Sequence, residues 1–142
     1  MKALYFTYGL GLEEHTMVDQ YPSARFYKFA LIRGFKLTFS TKSETDSQGL
    51  CSMVAGKMND YLEGVLYTVN HWELPEPFEG CSCSIMDVLC DNGEYVTAHV
   101  YYTDNKNLVA PEEEYLWRVV KKYQDYGFNT KALEKALDKS NY

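Results

Sequence analysis

Two runs of alternating residues, 85–90 and 94–102, flank the triplet Asp91-Asn92-Gly93. Asn and Gly accept positive φ at least cost, so the triplet closes a tight hairpin and commits the chain to an antiparallel sheet. In the second run Val96, Ala98, Val100 and Tyr102 share one face, and Tyr95, Thr97, His99 and Tyr101 the other, because successive side chains of a strand point to opposite sides.

Alternation elsewhere predicts further strands. Residues 3–8 form one, which breaks at Gly9-Leu10-Gly11 before a short helix over 13–20. Residues 25–40 hold two apolar runs bent at Arg33-Gly34, and in the second Phe35, Leu37 and Phe39 oppose Lys36, Thr38 and Ser40. Residues 40–49 are polar without an apolar anchor and are expected to be a mobile loop. Strands follow over 50–56 and 61–69. A helix is expected to open at Pro111, with Glu112, Glu113 and Glu114 at the positive end of its dipole and Leu116, Val119, Val120 and Tyr123 as its buried stripe. Gly127 is placed to stop it, and a second helix over 130–138 carries Leu133, Ala136 and Leu137 on one side. The expected fold is α+β: a mixed, mostly antiparallel β-barrel or strongly curved sheet with peripheral helices.

The 142 residues, 46% hydrophobic and 24% charged, suffice for one domain spanning 1–142 with a core that needs neither disulfides nor metals. A net charge of -6 and scattered lysines exclude a phosphate-backbone partner. No apolar stretch is long enough to span a bilayer, and residues 1–6 run into Gly9 before a signal-peptide core forms, so no membrane partner and a cytoplasmic location are expected. Cys51, Cys81, Cys83 and Cys90 are then read as free thiols rather than a metal set. His15, His71 and His99 have no metal-ligand spacing, no serine sits in a Gly-x-Ser-x-Gly elbow, and no cofactor or metal is expected. Thirteen tyrosines suit either a polar ligand pocket or a protein-binding face.

An ordered series of segments resembles the γ-glutamylcyclotransferase and AIG2-like superfamily from about Ala3 to Leu137. The family's Tyr-Gly-Ser-Asn-Leu loop is similar to Tyr8-Gly9-Leu10-Gly11-Leu12, preceded by Tyr5-Phe6-Thr7. Pro22-Ser23-Ala24-Arg25-Phe26, Ala30-Leu31 and Gly34-Phe35-Lys36-Leu37-Thr38-Phe39 follow in order. Gly64-Val65-Leu66-Tyr67 stands intact, and Leu74-Pro75-Glu76-Pro77-Phe78-Glu79-Gly80 is similar to the family's Leu-Asp-x-x-Glu-Gly element. The strand over 98–101 and the helix start over 111–115 complete the series.

The resemblance implies cyclisation of a γ-glutamyl peptide or amine to 5-oxoproline with release of the amine. It gives Glu79 the general acid/base role: the α-ammonium must lose a proton before it can attack, and the leaving amine must gain one. A partly desolvated carboxyl can do both, since desolvation lifts its pKa toward neutrality. Backbone N–H groups of Gly9, Leu10, Gly11 and Leu12 are implied to hold the substrate carboxylate, with Tyr8, Cys83 and Tyr101 also lining the substrate. Glu76, between Pro75 and Pro77, is the nearby alternative carboxylate and reads as an exposed turn.

Departures bear on this reading. Leu10 and Gly11 replace the family's Ser and Asn, and Cys81-Ser82-Cys83-Ser84 replaces a stretch that carries a tyrosine and often an arginine. Each lost donor to a charged ligand costs about 1.5–3 kcal/mol. Two alternatives therefore accompany the enzyme: an altered member that binds another small polar molecule, and a module whose acidic, tyrosine-rich surface meets a protein, although no protein partner is evident.

Overall fold

The computed structural model describes residues 1–41, 48–76, 80–104 and 107–140. The expected mobile loop over 40–49 lies largely outside these residues. In chain order the elements are β1 (Lys2–Thr7), a 3₁₀ turn (Gly9–Leu12), α1 (Glu14–Gln20), β2 (Arg25–Arg33), β3 (Phe35–Ser40), β4 (Leu50–Ala55), β5 (Tyr61–Asn70), a second 3₁₀ turn (His71–Glu73), β6 (Cys81–Cys90), β7 (Tyr95–Thr103), α2 (Glu113–Tyr126) and α3 (Lys131–Lys139).

Five strands close a barrel in the order β1-β5-β2-β6-β7, and β3 and β4 form a separate two-stranded ribbon. The barrel ladders are antiparallel except where β7 meets β1. Phe6 stands level with Leu66 on one side and Val100 on the other, so the three fully buried side chains stack on one face of adjacent strands. Gly64 lets β1 approach β5: a Cβ there would lie 2.2 Å from the Thr7 carbonyl oxygen and 2.6 Å from Phe6 Cζ. The architecture is the α+β barrel expected, and the hairpin turns at Gly93 (φ 89°) with Cys90 and Glu94 bonded across it.

Three local differences have physical causes. The Arg33-Gly34 bend is real, with Gly34 at φ 80°, but it separates strands of different sheets: β2 pairs with β5 and β6, β3 with β4. Thr38 and Ser40 on the polar face of β3 are buried as well as its apolar face, because Ser40 bonds Thr103 and Thr103 bonds Ser52, which draws that face under β7. Helix α2 starts at Glu113 rather than Pro111. Gly49 and Val109 donate to Ala110 and Phe39 respectively, which holds the approach extended through Glu112 at ψ 145°.

Gly127 ends α2 in the left-handed region at φ 73°, and Phe128 folds back to donate to Tyr123 and pack its ring 5.4 Å away. Leu116, Val119 and Tyr123 are buried, as are Leu133 and Ala136 of α3. No helix among the described residues is long and apolar enough to cross a membrane.

The first helices are tied to α2 by an ion pair that sequence patterning does not show. Glu13, nearly buried, accepts from both Arg118 Nε and Nη2 and from Thr16 Oγ1 at 2.8 Å. The Arg118 bonds hold the Glu13 carboxyl below its ordinary range, against the opposing effect of burial. A depressed carboxyl contributes stability above the unfolded-state value of about 4.3 and loses it as pH falls through the lower folded value. Arg118→Met should therefore cost about 1–3 kcal/mol at pH 7. In urea unfolding followed by fluorescence, the deficit against the unsubstituted protein should shrink below about pH 4.

Candidate functional site

The end of β1 is built to hold a backbone turn in place. Thr7 Oγ1 lies 2.9 Å from the carbonyl oxygens of both Gly11 and Val65 and shares its single proton between them, which clamps the turn to β5. Gly11 has no room for a side chain, since a Cβ would sit 2.7 Å from Thr7 Cβ. Gly9 has φ 69°, and a Cβ there would lie 2.8 Å from Cys51 Cβ and 3.2 Å from Tyr115 Oη. The opening amides of a 3₁₀ turn have no acceptor within the turn itself. Leu12 is fully buried and its carbonyl accepts from Tyr126 Oη at 2.8 Å, while half-buried Leu10 packs against the core. The turn thus offers peptide groups and no polar side chain.

The wall facing Gly9 is Cys51 of β4 and Tyr115 of α2, joined by a 2.8 Å bond from the Cys51 N–H to Tyr115 Oη. Burial pushes the Cys51 thiol up to about 12, so it stays protonated at neutral pH and is no nucleophile. Burial likewise raises Tyr115 well above its ordinary value. Tyr115 was missed as a site residue by sequence reasoning, although it ends the helix-start segment of the resemblance.

Tyr8 and Tyr101 link the turn to the other half of the expected site. Tyr8 Oη donates to the Tyr101 carbonyl at 2.5 Å, and the Tyr8 phenol also engages the Ser52 hydroxyl. Tyr101 Oη donates to the Pro75 carbonyl at 2.7 Å, with its ring 5.1 Å from that of Tyr5. Tyr101 stands opposite Cys83 on the β6-β7 ladder, and burial followed by the Cys83 thiol raises its phenol. Cys81 lies two residues from Cys83 on the same face and acts electrostatically on Tyr8, Tyr21 and Tyr101. The four cysteines form no disulfide, and no group of three or more metal-binding side chains occurs among the described residues.

The segment between β5 and β6 is anchored at both ends. Glu73 accepts from the Ser23 hydroxyl at 2.6 Å and the Ser23 N–H at 3.1 Å, Tyr101 holds Pro75, and the Gly80 carbonyl accepts from the Asp104 N–H at 2.9 Å. Gly80 has φ 84°. Glu79, the expected acid/base, lies outside the described residues with Pro77 and Phe78; Glu76 is exposed. His99 rests 6.0 Å from His71, and burial followed by His71 lowers it, so it is a neutral imidazole at pH 7.

Scans of the sequence against protein-family models and against curated proteins return no match. Among solved structures the fold is that of γ-glutamyl cyclotransferase-like proteins. A structure named γ-glutamyl cyclotransferase superposes with a TM-score of 0.80 at 22% identity, over 96% of this chain and 86% of its own. The uncharacterized protein loc79017 from Homo sapiens matches with a TM-score of 0.76 at 21% identity, over 95% of this chain and 86% of its own. YkqA from Bacillus subtilis matches with a TM-score of 0.72 at 18% identity, over 99% of this chain and 54% of its own, so the chain spans about half of YkqA.

The close approach at Gly9 is open to test. Gly9→Ala combines a left-handed residue with overpacking and should lose about 2–4 kcal/mol in urea unfolding. Gly34→Ala, also at positive φ (80°) but with nothing within 4 Å, should lose only about 1–2 kcal/mol.

Proposed function

We propose that this chain is a γ-glutamyl cyclotransferase. Its substrate is a γ-glutamyl peptide or amine, Glu79 is the acid/base, and the turn amides of Gly9 to Leu12 receive the substrate α-carboxylate. The observation that carries the reading is the double engagement of Tyr101. Its carbonyl takes the Tyr8 hydroxyl beside the turn, and its hydroxyl takes the Pro75 carbonyl, four positions before Glu79 in sequence. Tyr8 and Pro75, far apart in the chain, are thus tied to one residue, which supports the reading.

In the reaction the Glu79 carboxylate takes a proton from the substrate α-ammonium. The freed amine attacks the γ-carbonyl carbon and sheds its second proton as the lactam forms, the carbon–nitrogen bond to the leaving amine breaks, and Glu79 relays both protons in turn to that amine, which departs as its ammonium. The products are 5-oxoproline and the free amine, and no water is consumed. The surrounding phenols, raised by burial, stay neutral, so they add no negative charge beside two carboxylates.

Incubation with γ-glutamyl-alanine should release 5-oxoproline, detected by chromatography. Glu79→Gln should lower kcat by at least about 10²-fold, the share of a positioned acid/base. Equal release by both proteins would sink the assignment. The retained backbone turn with its polar side chains replaced by Leu10 and Gly11 favours one second reading, a binder of another small polar molecule. That reading gains ground if no γ-glutamyl compound is turned over while a metabolite raises the thermal midpoint.

A further inference from the structure

A cleft of about 780 Å³ opens between the β3-β4 ribbon and the β6-β7 hairpin. Its volume falls within the range of about 300–1,000 Å³ typical of small-molecule sites. On the hairpin it is lined by Ser84, Met86 and Tyr102, whose neighbours Cys83 and Tyr101 point to the opposite face. On the ribbon Lys36 stands level with Val54, and Thr38 with Ser52, on the face turned to the cleft. Tyr8, Gly9 to Leu12, Cys83 and Tyr101 are all absent from its lining, so the cleft is separate from the described part of the candidate site.

The hydroxyls of the lining are all accounted for except one. Ser40 bonds Thr103 at 2.6 Å, Thr103 donates to Ser52 at 3.1 Å, and Ser52 engages the Tyr8 phenol, so that series is closed within the protein. Ser84 and Tyr102 bond each other at 2.9 Å. Thr38, 5% exposed, has a hydroxyl with no hydrogen-bond partner among the described residues. A buried hydroxyl left unpaired costs stability unless something supplies its partner, and rotation about χ1 lets the Thr38 hydroxyl change places with its methyl at the cleft wall. Charge and apolar surface say what that partner carries. Val54, Met86 and Leu108 make an apolar, adaptable wall. Lys36 and Lys139 add two cations to the lining in a chain whose net charge is -6, and neither is in an ion pair among the described residues. Asp104, the one carboxylate among the described lining residues, already accepts from the Ser82 hydroxyl.

We propose that this cleft is a second binding site, one that takes a free carboxylic acid with an apolar body, of the medium-chain or aryl-substituted alkanoic class. The carboxylate faces Lys36 and Lys139 and accepts from Thr38, two positions from Lys36 on the same strand face. The apolar body lies against Val54, Met86 and Leu108. A ligand with a cationic head meets the two lysines and is disfavoured. The site stands independently of the cyclotransferase reading, because none of the described residues given to that reaction contributes to it.

The test is binding rather than turnover. Titration calorimetry compares octanoate with octanol, which lacks the charge, acetate, which lacks the apolar body, and octylammonium, which reverses the charge. Octanoate should bind one to one and at least about ten-fold more tightly than each of the others, the share of a charge-assisted hydrogen bond or of the buried chain. It should also shift the methyl resonance of Met86. Val54→Asp, at a position 38% exposed and so tolerant of the change, sets a carboxylate level with Lys36 and should weaken octanoate at least about ten-fold more than octanol. Thr38→Val should weaken octanoate without lowering the thermal midpoint, since no internal hydrogen bond is lost; a lowered midpoint shows that the hydroxyl is already paired and overturns its role as a ligand donor. Equal affinity for octanoate and octanol, binding that leaves the Met86 methyl unmoved, or no binding of octanoate at millimolar concentration overturns the inference. Each of these outcomes leaves the cyclotransferase reading untouched, and loss of turnover leaves the cleft untouched.

Discussion

The missing side chain at Gly64 sets the geometry on which the rest is built. β5 is the strand that pairs with both β1 and β2, and at Gly64 the Thr7 carbonyl and the Phe6 ring occupy the space a Cβ would take. With β1 seated this closely, Thr7 can reach the Val65 carbonyl and the Gly11 carbonyl with one hydroxyl. The turn after β1 is therefore positioned from the barrel's interior outward. Any residue larger than glycine at position 64 would push β1 away from β5 and carry the turn with it.

Tyrosine serves here as a strut. Tyr8, Tyr101, Tyr115 and Tyr126 each spend the hydroxyl on a backbone group of a distant segment. Burial raises all four phenols, and none ionises at ordinary pH. A phenol is suited to this because its ring packs against apolar neighbours while the tip satisfies a peptide group that would otherwise be buried unpaired. Much of the tyrosine excess is thus used inside the molecule, with Tyr61 and Tyr95 among those left exposed.

What could be read from the sequence was whatever is fixed by local stereochemistry. The turn at Gly93, the bend at Gly34 and the helix stop at Gly127 follow from residues that accept positive φ. The common face of Ala98 and Val100 follows from alternation. Partner choice between strands did not follow, because β2 and β3 are contiguous yet enter different sheets, and only the closed barrel decides this. The burial of Thr38 and Ser40 was hidden for the same reason: alternation gives the face but not its cover, which here is Thr103 of β7 bonding Ser40. Glu13 and Arg118, 105 positions apart, left no local pattern at all. In the candidate site, the turn over Gly9 to Leu12 was legible through motif order, whereas the pairing of Cys83 with Tyr101 required the full length of β6 and the Tyr115 bond to β4 required the packing of α2.

Among the described residues the β3-β4 ribbon exchanges its ladder bonds within itself and meets the barrel strand β7 through the side chains of Ser40, Ser52 and Thr103. The turn at Gly9 is secured instead to β5. Substitutions on the ribbon can therefore alter the surface it presents without breaking a barrel ladder, so that surface and the barrel's architecture are free to diversify at separate rates along this chain.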